Sequence, residues 1–165
     1  MKKSREEILT LIAEINEELI GLGILKDEIK TAENKLKDAS GDQKNYIIES
    51  LALKLHNFYT GCERIFEKIS GDINSKVLQG IDWHKRLLKN MTLNIKGLRP
   101  QVLSKGLERE MEEYLKFRHL VRNIYGFELN EEKMIPLIKG IERIYIDFIE
   151  EMKKFISFLE DLAKS

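Results

Sequence analysis

The chain has 165 residues, with 28 Lys and Arg balanced by 28 Asp and Glu, so its formal net charge is zero. That length suits one domain with its own core. The balance excludes a global positive field for nucleic acid or acidic membranes, so any polyanion must be met locally. The single Cys62 excludes an internal disulfide and leaves no second cysteine for a zinc-ligand pair.

Charged residues make up 34% of the chain, glycine and proline are scarce, and Leu, Ile, Glu and Lys dominate. This is the composition of long amphipathic helices, and we expect an all-α fold. The N-terminus runs from two lysines straight into Glu6 and Glu7 without an apolar core, and no stretch is long enough to span a bilayer. These features point to a soluble, unexported protein of the reducing cytoplasm, with no membrane contact.

From Ser4 to Lys37, Ile8, Ile15, Leu22, Ile29 and Leu36 recur every seven residues, which predicts one long N-terminal helix. Gly21 and Gly23 weaken its middle and allow a bend or break there. A turn at 38–42 offers Ser40 or Asp42 as a cap. A second helix is expected over 43–70, with Leu51, Leu55, Phe58, Tyr59, Cys62, Ile65, Phe66 and Ile69 on its buried face. His56 has no His or Cys three or four residues away and reads as a boundary histidine rather than a metal ligand.

Residues 71–80, which include Asp72, Asn74 and Ser75, are expected to form a turn-rich linker. A short helix capped by Asp82 should then bury Trp83, Leu87, Leu88 and Met91 while exposing His84, Lys85, Arg86 and Lys89. Trp83 beside basic groups has two readings, a stacking platform for bases or a core ring, and the second is favoured. Gly97 and Arg99-Pro100 suggest an extended entry to the next helix. That helix runs from near Ser104 to Tyr125, with Gly126 able to end it. The last helix starts after Asn130, and Pro136 and Gly140 are expected to kink or split its first turns. The expected architecture is an antiparallel, up-and-down bundle of four main helices plus one short helix, in one domain over 1–165.

One stretch, Phe117-Arg118-His119-Leu120-Val121-Arg122-Asn123-Ile124-Tyr125-Gly126-Phe127, puts polar groups on a buried face. Arg118, Arg122 and Tyr125 continue the stripe of Leu107, Met111 and Tyr114. Neither arginine has a carboxylate three or four residues away. Their counter-charges must come from another helix, a second protomer or a bound anion.

Together with Leu55-His56-Asn57-Phe58-Tyr59-Thr60-Gly61-Cys62-Glu63-Arg64-Ile65-Phe66, the Trp83-His84 segment and Arg99-Pro100, that stretch resembles the HepT-like branch of the HEPN superfamily. The resemblance covers roughly 43–165. It implies an all-α homodimer, metal-independent cleavage of RNA by a toxin, and a cognate MNT-type nucleotidyltransferase antitoxin that adenylylates it. No cofactor or metal is implied.

By the resemblance, Arg118 takes the place of the motif arginine, His119 of the polar residue after it, and Tyr125 of the motif tyrosine. Asn123 stands where the family has histidine, and no histidine follows His119. Attack of a 2′-hydroxyl on phosphorus needs a group that exchanges a proton near neutral pH and a cation for the phosphate. Arg118 can supply the cation. Asn123 cannot titrate, which leaves His119, one turn away, as a substitute.

Three functions stay open. One is a HepT-like partner of a nucleotidyltransferase, in which Arg118, Arg122 and Asn123 line a phosphate- or RNA-facing groove and Tyr125 accepts the modification. The second is an active endoribonuclease using Arg118 with His119 or Asn123. The third is a helical scaffold without a ligand.

Overall fold

A computed structural model describes residues 3–73, 82–122 and 129–165. Its helices are α1 (Arg5–Leu36), α2 (Gly41–Ile73), α3 (Trp83–Asn90), α4 (Lys105–Arg122) and α5 (Glu131–Lys164), and the described residues form no strand beyond one isolated bridge between Ile95 and Arg99. The protein is an all-α helical bundle with four main helices and one short one.

A capping box opens α1. The Ser4 hydroxyl accepts from the Glu7 N–H at 3.2 Å, and the Glu7 carboxylate accepts from the Ser4 N–H at 2.7 Å. The helix then runs 32 residues without the break that Gly21 and Gly23 allowed. Tertiary packing overrides the weak propensity, because Leu19 and Leu22 on either side are buried. Gly23 has a packing reason: a Cβ there would meet the Tyr145 hydroxyl of α5 at 2.7 Å. Gly21 has open space around it.

Gly41, with φ +60°, starts α2 directly, and neither Ser40 nor Asp42 makes a capping bond among the described residues. Ion pairs Lys54–Glu28, Arg64–Glu18 and Lys68–Glu14 descend along α1 as α2 ascends, which fixes the two helices as antiparallel. The contacts Ser104 with Glu151, Glu110 with Arg143 and Tyr114 with Leu137 do the same for α4 and α5. Phe66 packs edge-on against Phe148 and Phe58 tilts against Tyr114, each pair with centroids 6.0 Å apart, joining α2 to α5 and to α4.

The side chain of Asn130 accepts from the Glu132 N–H and caps α5, as its sequence position suggests. Pro136 and Gly140 do not split this helix. Pro136 is exposed, so the carbonyl that loses its N–H partner can reach water, while Met134, Leu137, Ile138 and Ile141 hold the opposite face in the core. The Ser104 hydroxyl accepts from the Leu107 N–H at the start of α4, and Glu151 of α5 accepts from the Ser104 N–H.

Between α3 and α4 the chain is irregular but built. The buried guanidinium of Arg99 donates to the carbonyls of Asn90, Leu93 and Pro100 and to the Asn90 side chain. The N–H groups of Val102 and Leu103 both reach the Met91 carbonyl. This pins α3 across α2 and α4, the placement on which the cleft below depends. Asp82 precedes α3 at φ 66° and makes no side-chain cap, contrary to the expectation from sequence.

Two substitutions test the packing. Tyr114→Phe removes the buried 2.7 Å bond to the Leu137 carbonyl and should cost about 1 kcal/mol, whereas Gly21→Ala should add up to about 1 kcal/mol. Urea titration followed by circular dichroism reads both, and equal midpoints for the two variants would contradict the assignment.

Candidate functional site

The stripe on α4 is buried through Leu107, Met111, Tyr114 and Arg118, and Arg118 is only 3% exposed. Its counter-charge comes from another helix. Glu63 of α2, 4% exposed, accepts from Arg118 through both oxygens, Oε1 from Nη1 at 2.8 Å and Oε2 from Nη2 at 3.1 Å. Such a fork-on-fork pair is the geometry in which a buried guanidinium is best matched, and each ion depends on the other for its solvation.

Two further groups complete the shell. The Thr60 hydroxyl lies 3.4 Å from Arg118 Nη1, and His84 Nδ1 lies 2.8 Å from Nη2. Both Nη nitrogens are thus surrounded by polar partners within hydrogen-bonding distance. Beneath them the guanidinium carbon sits 4.9 Å from the centre of the Tyr59 ring. The Tyr59 hydroxyl is buried without a hydrogen-bond partner, and burial, then the nearby Glu63 charge, pushes its phenol far above the ordinary range.

His84 is turned inward rather than exposed, a correction to the amphipathic reading of α3. Its Nδ1 lies 2.8 Å from Glu63 Oε2 as well as from Arg118 Nη2. An unprotonated Nδ1 accepts from Arg118, and a protonated one donates to Glu63. Either way Nδ1 is held, and Nε2 makes no hydrogen bond among the described residues. The Trp83 ring, half-buried rather than in the core, stacks on the imidazole with centroids 3.7 Å apart and planes at 30°. One turn along α2 from Glu63, burial and the Glu63 charge raise the carboxyl of Glu67.

His84 keeps 28% of its side chain exposed, and it opens onto a cleft of about 500 Å³ between α3 and α4. Lys85, Lys116, Arg118 and Arg122 give the lining four formal cations against the carboxylates of Asp82 and Glu112. Arg118 is neutralised by Glu63, and Lys116 pairs with Glu113 at 3.2 Å. Lys85 pairs with Glu112 at 3.2 Å.

Of the residues singled out in the sequence, Arg118, His119 and Arg122 line the same cleft. Arg118 forms its buried floor, while His119 and Arg122 are exposed. Asn123 and Tyr125, with Gly126 and Phe127, lie outside the described residues. Sequence reasoning does not single out Glu63 and Thr60 as site residues. The available signal for Glu63 is its position four after Tyr59, which puts a carboxylate on the buried face of α2.

Residues 50–159, from within α2 to within α5, match the family described as HepT-like protein. The chain belongs to the HepT-like family. No curated protein and no solved structure matches it. In this HepT-like chain the described residues hold no group of three or more His, Cys, Asp or Glu suited to a metal ion. No described helix is long and apolar enough to cross a membrane. Cys62, fully buried in α2, has its thiol pushed far up by burial, so it is a core group rather than a nucleophile.

Two measurements check this electrostatic picture. Glu63→Ala leaves Arg118 buried without its counter-ion and should cost about 3–5 kcal/mol, while the double variant Glu63→Leu/Arg118→Leu should recover much of that loss. Additive costs in a double-mutant cycle would overturn the pairing. Cys62 should resist iodoacetamide in the folded protein and react at once in denaturant; rapid native labelling would show that the α2 core is not closed.

Proposed function

We propose that this HepT-like chain is one component of a two-protein toxin–antitoxin module, paired with an MNT-type nucleotidyltransferase and acting as a homodimer. In this reading the cleft between α3 and α4 is the face that meets phosphate groups, whether of RNA or of a transferred nucleotide. The observation that carries it is that Arg118, His119 and Arg122, from the stretch that resembles the family motif, line one cleft. Exposed cations at a cleft can meet phosphate locally without a global field.

Arg122 and Lys116 at the rim suit the outer contacts of an anion, since both are exposed on α4. Tyr125, four residues after Val121 in sequence, is the proposed acceptor of the nucleotide, with Asn123 positioning phosphate or hydroxyl groups by hydrogen bonds. Adduct phosphates near Arg122 gain charge-assisted bonds that an unmodified phenol lacks.

A second reading, a metal-independent endoribonuclease, draws on a specific observation. A histidine from α3, His84, stands beside Arg118 although position 123 is asparagine.

The partner reading predicts that the protein, incubated with its neighbouring nucleotidyltransferase and ATP, gains an adenylyl group on Tyr125 detectable by mass spectrometry. Tyr125→Phe should lose it. An unmodified protein beside a transferase active on another substrate would sink the reading.

A further inference from the structure

We propose that the groove at the head of α4 is one half of a twofold contact between two copies of this chain, in which Arg109 of each copy neutralises the buried Glu108 of the other. The inference shares with the proposed function only the association of copies. It concerns the end of α4 away from Arg118.

A groove of about 620 Å³ runs between the end of α3 and the first turns of α4, with Lys105, Glu108, Arg109 and Glu112 on the α4 wall and Arg86 and Lys89 on the wall facing it. Glu108 is 7% exposed, yet its carboxylate makes no hydrogen bond or ion pair among the described residues. Its oxygens open onto the groove, since among the described residues only the Tyr59 hydroxyl is both enclosed and unpaired. The N-terminal end of α4 steadies the acid in the free chain. A carboxylate this far from bulk water and without a counter-ion still gains from a cation brought to it, more than an exposed one would. Lys105 and Arg109 are exposed and form no ion pair among the described residues, so neither folds back onto Glu108.

The order of these charges names the occupant. Lys105, Glu108, Arg109 and Glu112 lie within an arc of about 100° on α4 and run positive, negative, positive, negative. Taken from the other end, the row has the opposite sign at every place. A twofold axis passing between positions 108 and 109 therefore sets Lys105 against Glu112 of the second copy and Glu108 against its Arg109, and each pair is made twice. Reach suits the pairing, because Glu108 is recessed while Arg109 is a long, exposed side chain. Glu112 already holds Lys85 at 3.2 Å, so the second copy's lysine joins an existing pair. Leu93, 51% exposed at the groove, is an apolar group that the contact covers.

The test uses the full chain, with its mass in solution read by light scattering and sedimentation over a range of concentrations. Wild type should associate. Arg109→Glu, folded by circular dichroism, should weaken association about tenfold or more by setting carboxylate against carboxylate, and Glu108→Arg should do the same by setting guanidinium against guanidinium. Mixing the two variants should restore the wild-type mass, because every pair across the axis is then opposite in sign. If Glu108→Arg does not fold, Lys105→Glu mixed with Glu112→Lys gives the same test at the outer pair. Wild type that stays monomeric overturns the proposal together with the homodimer of the proposed function. Wild type that associates but ignores Arg109→Glu, or variants that do not recover on mixing, overturn the proposal alone. Loss of binding to the neighbouring nucleotidyltransferase in Arg109→Glu, with self-association unchanged, gives the groove to that partner and overturns the proposal too.

Discussion

A buried arginine must be given its charge partner by the fold, and in this protein that demand sets the geometry of the site. Arg118 continues the core stripe of α4, so the chain either pairs it internally or leaves an ion in an apolar interior. Glu63 provides the pair from α2 with two short hydrogen bonds. Once those helices are registered, α3 is held against them, with Arg99 and the Met91 carbonyl pinning the connection that follows it. His84 and Trp83 are thereby delivered to a charged cluster in the core of that end of the bundle.

The pair says more about specificity than about stability. A buried ion pair rarely outperforms well-packed hydrophobic groups of the same volume, so its net gain to stability is small. The helices α1, α2 and α5 share an apolar seam that includes Leu11, Ile15, Leu22, Leu51, Phe66, Phe148 and Phe155, all 2% exposed or less. What the apolar seam cannot do is orient an imidazole. Glu63 and Arg118 can, because each presents a hydrogen-bonding edge to Nδ1.

The fold is largely legible in the sequence because it rests on period. The heptad run of α1 and the broad apolar faces of α2 and α5 state their helices and buried sides, and Asn130 states a start. What does not follow from period is the effect of tertiary context. Gly21 and Pro136 are local breakers overruled by packing on the opposite faces, and Gly23 itself packs against Tyr145. The site is legible only in part. Arg118 stands out because a core stripe should not end in a cation, and the lack of a local carboxylate says that its partner lies elsewhere. Glu63 is 55 residues away in sequence, and no periodicity links the two. His84 reads as outward-facing because an eight-residue helix taken alone places it among lysines and arginines; the buried carboxylate that draws it inward belongs to another helix.

The site turns on Nδ1 of His84 being held by Glu63 and Arg118 where the residue lines the cleft. The ring nitrogens of His84, observed by ¹⁵N-edited NMR on the full-length protein, test this most directly. Two separate, non-averaged nitrogen signals are predicted for His84, with the Nδ1 signal changed by Glu63→Gln and the Nε2 signal moved by added inorganic phosphate. A single averaged pair, as in a free histidine, insensitive to both, would contradict it.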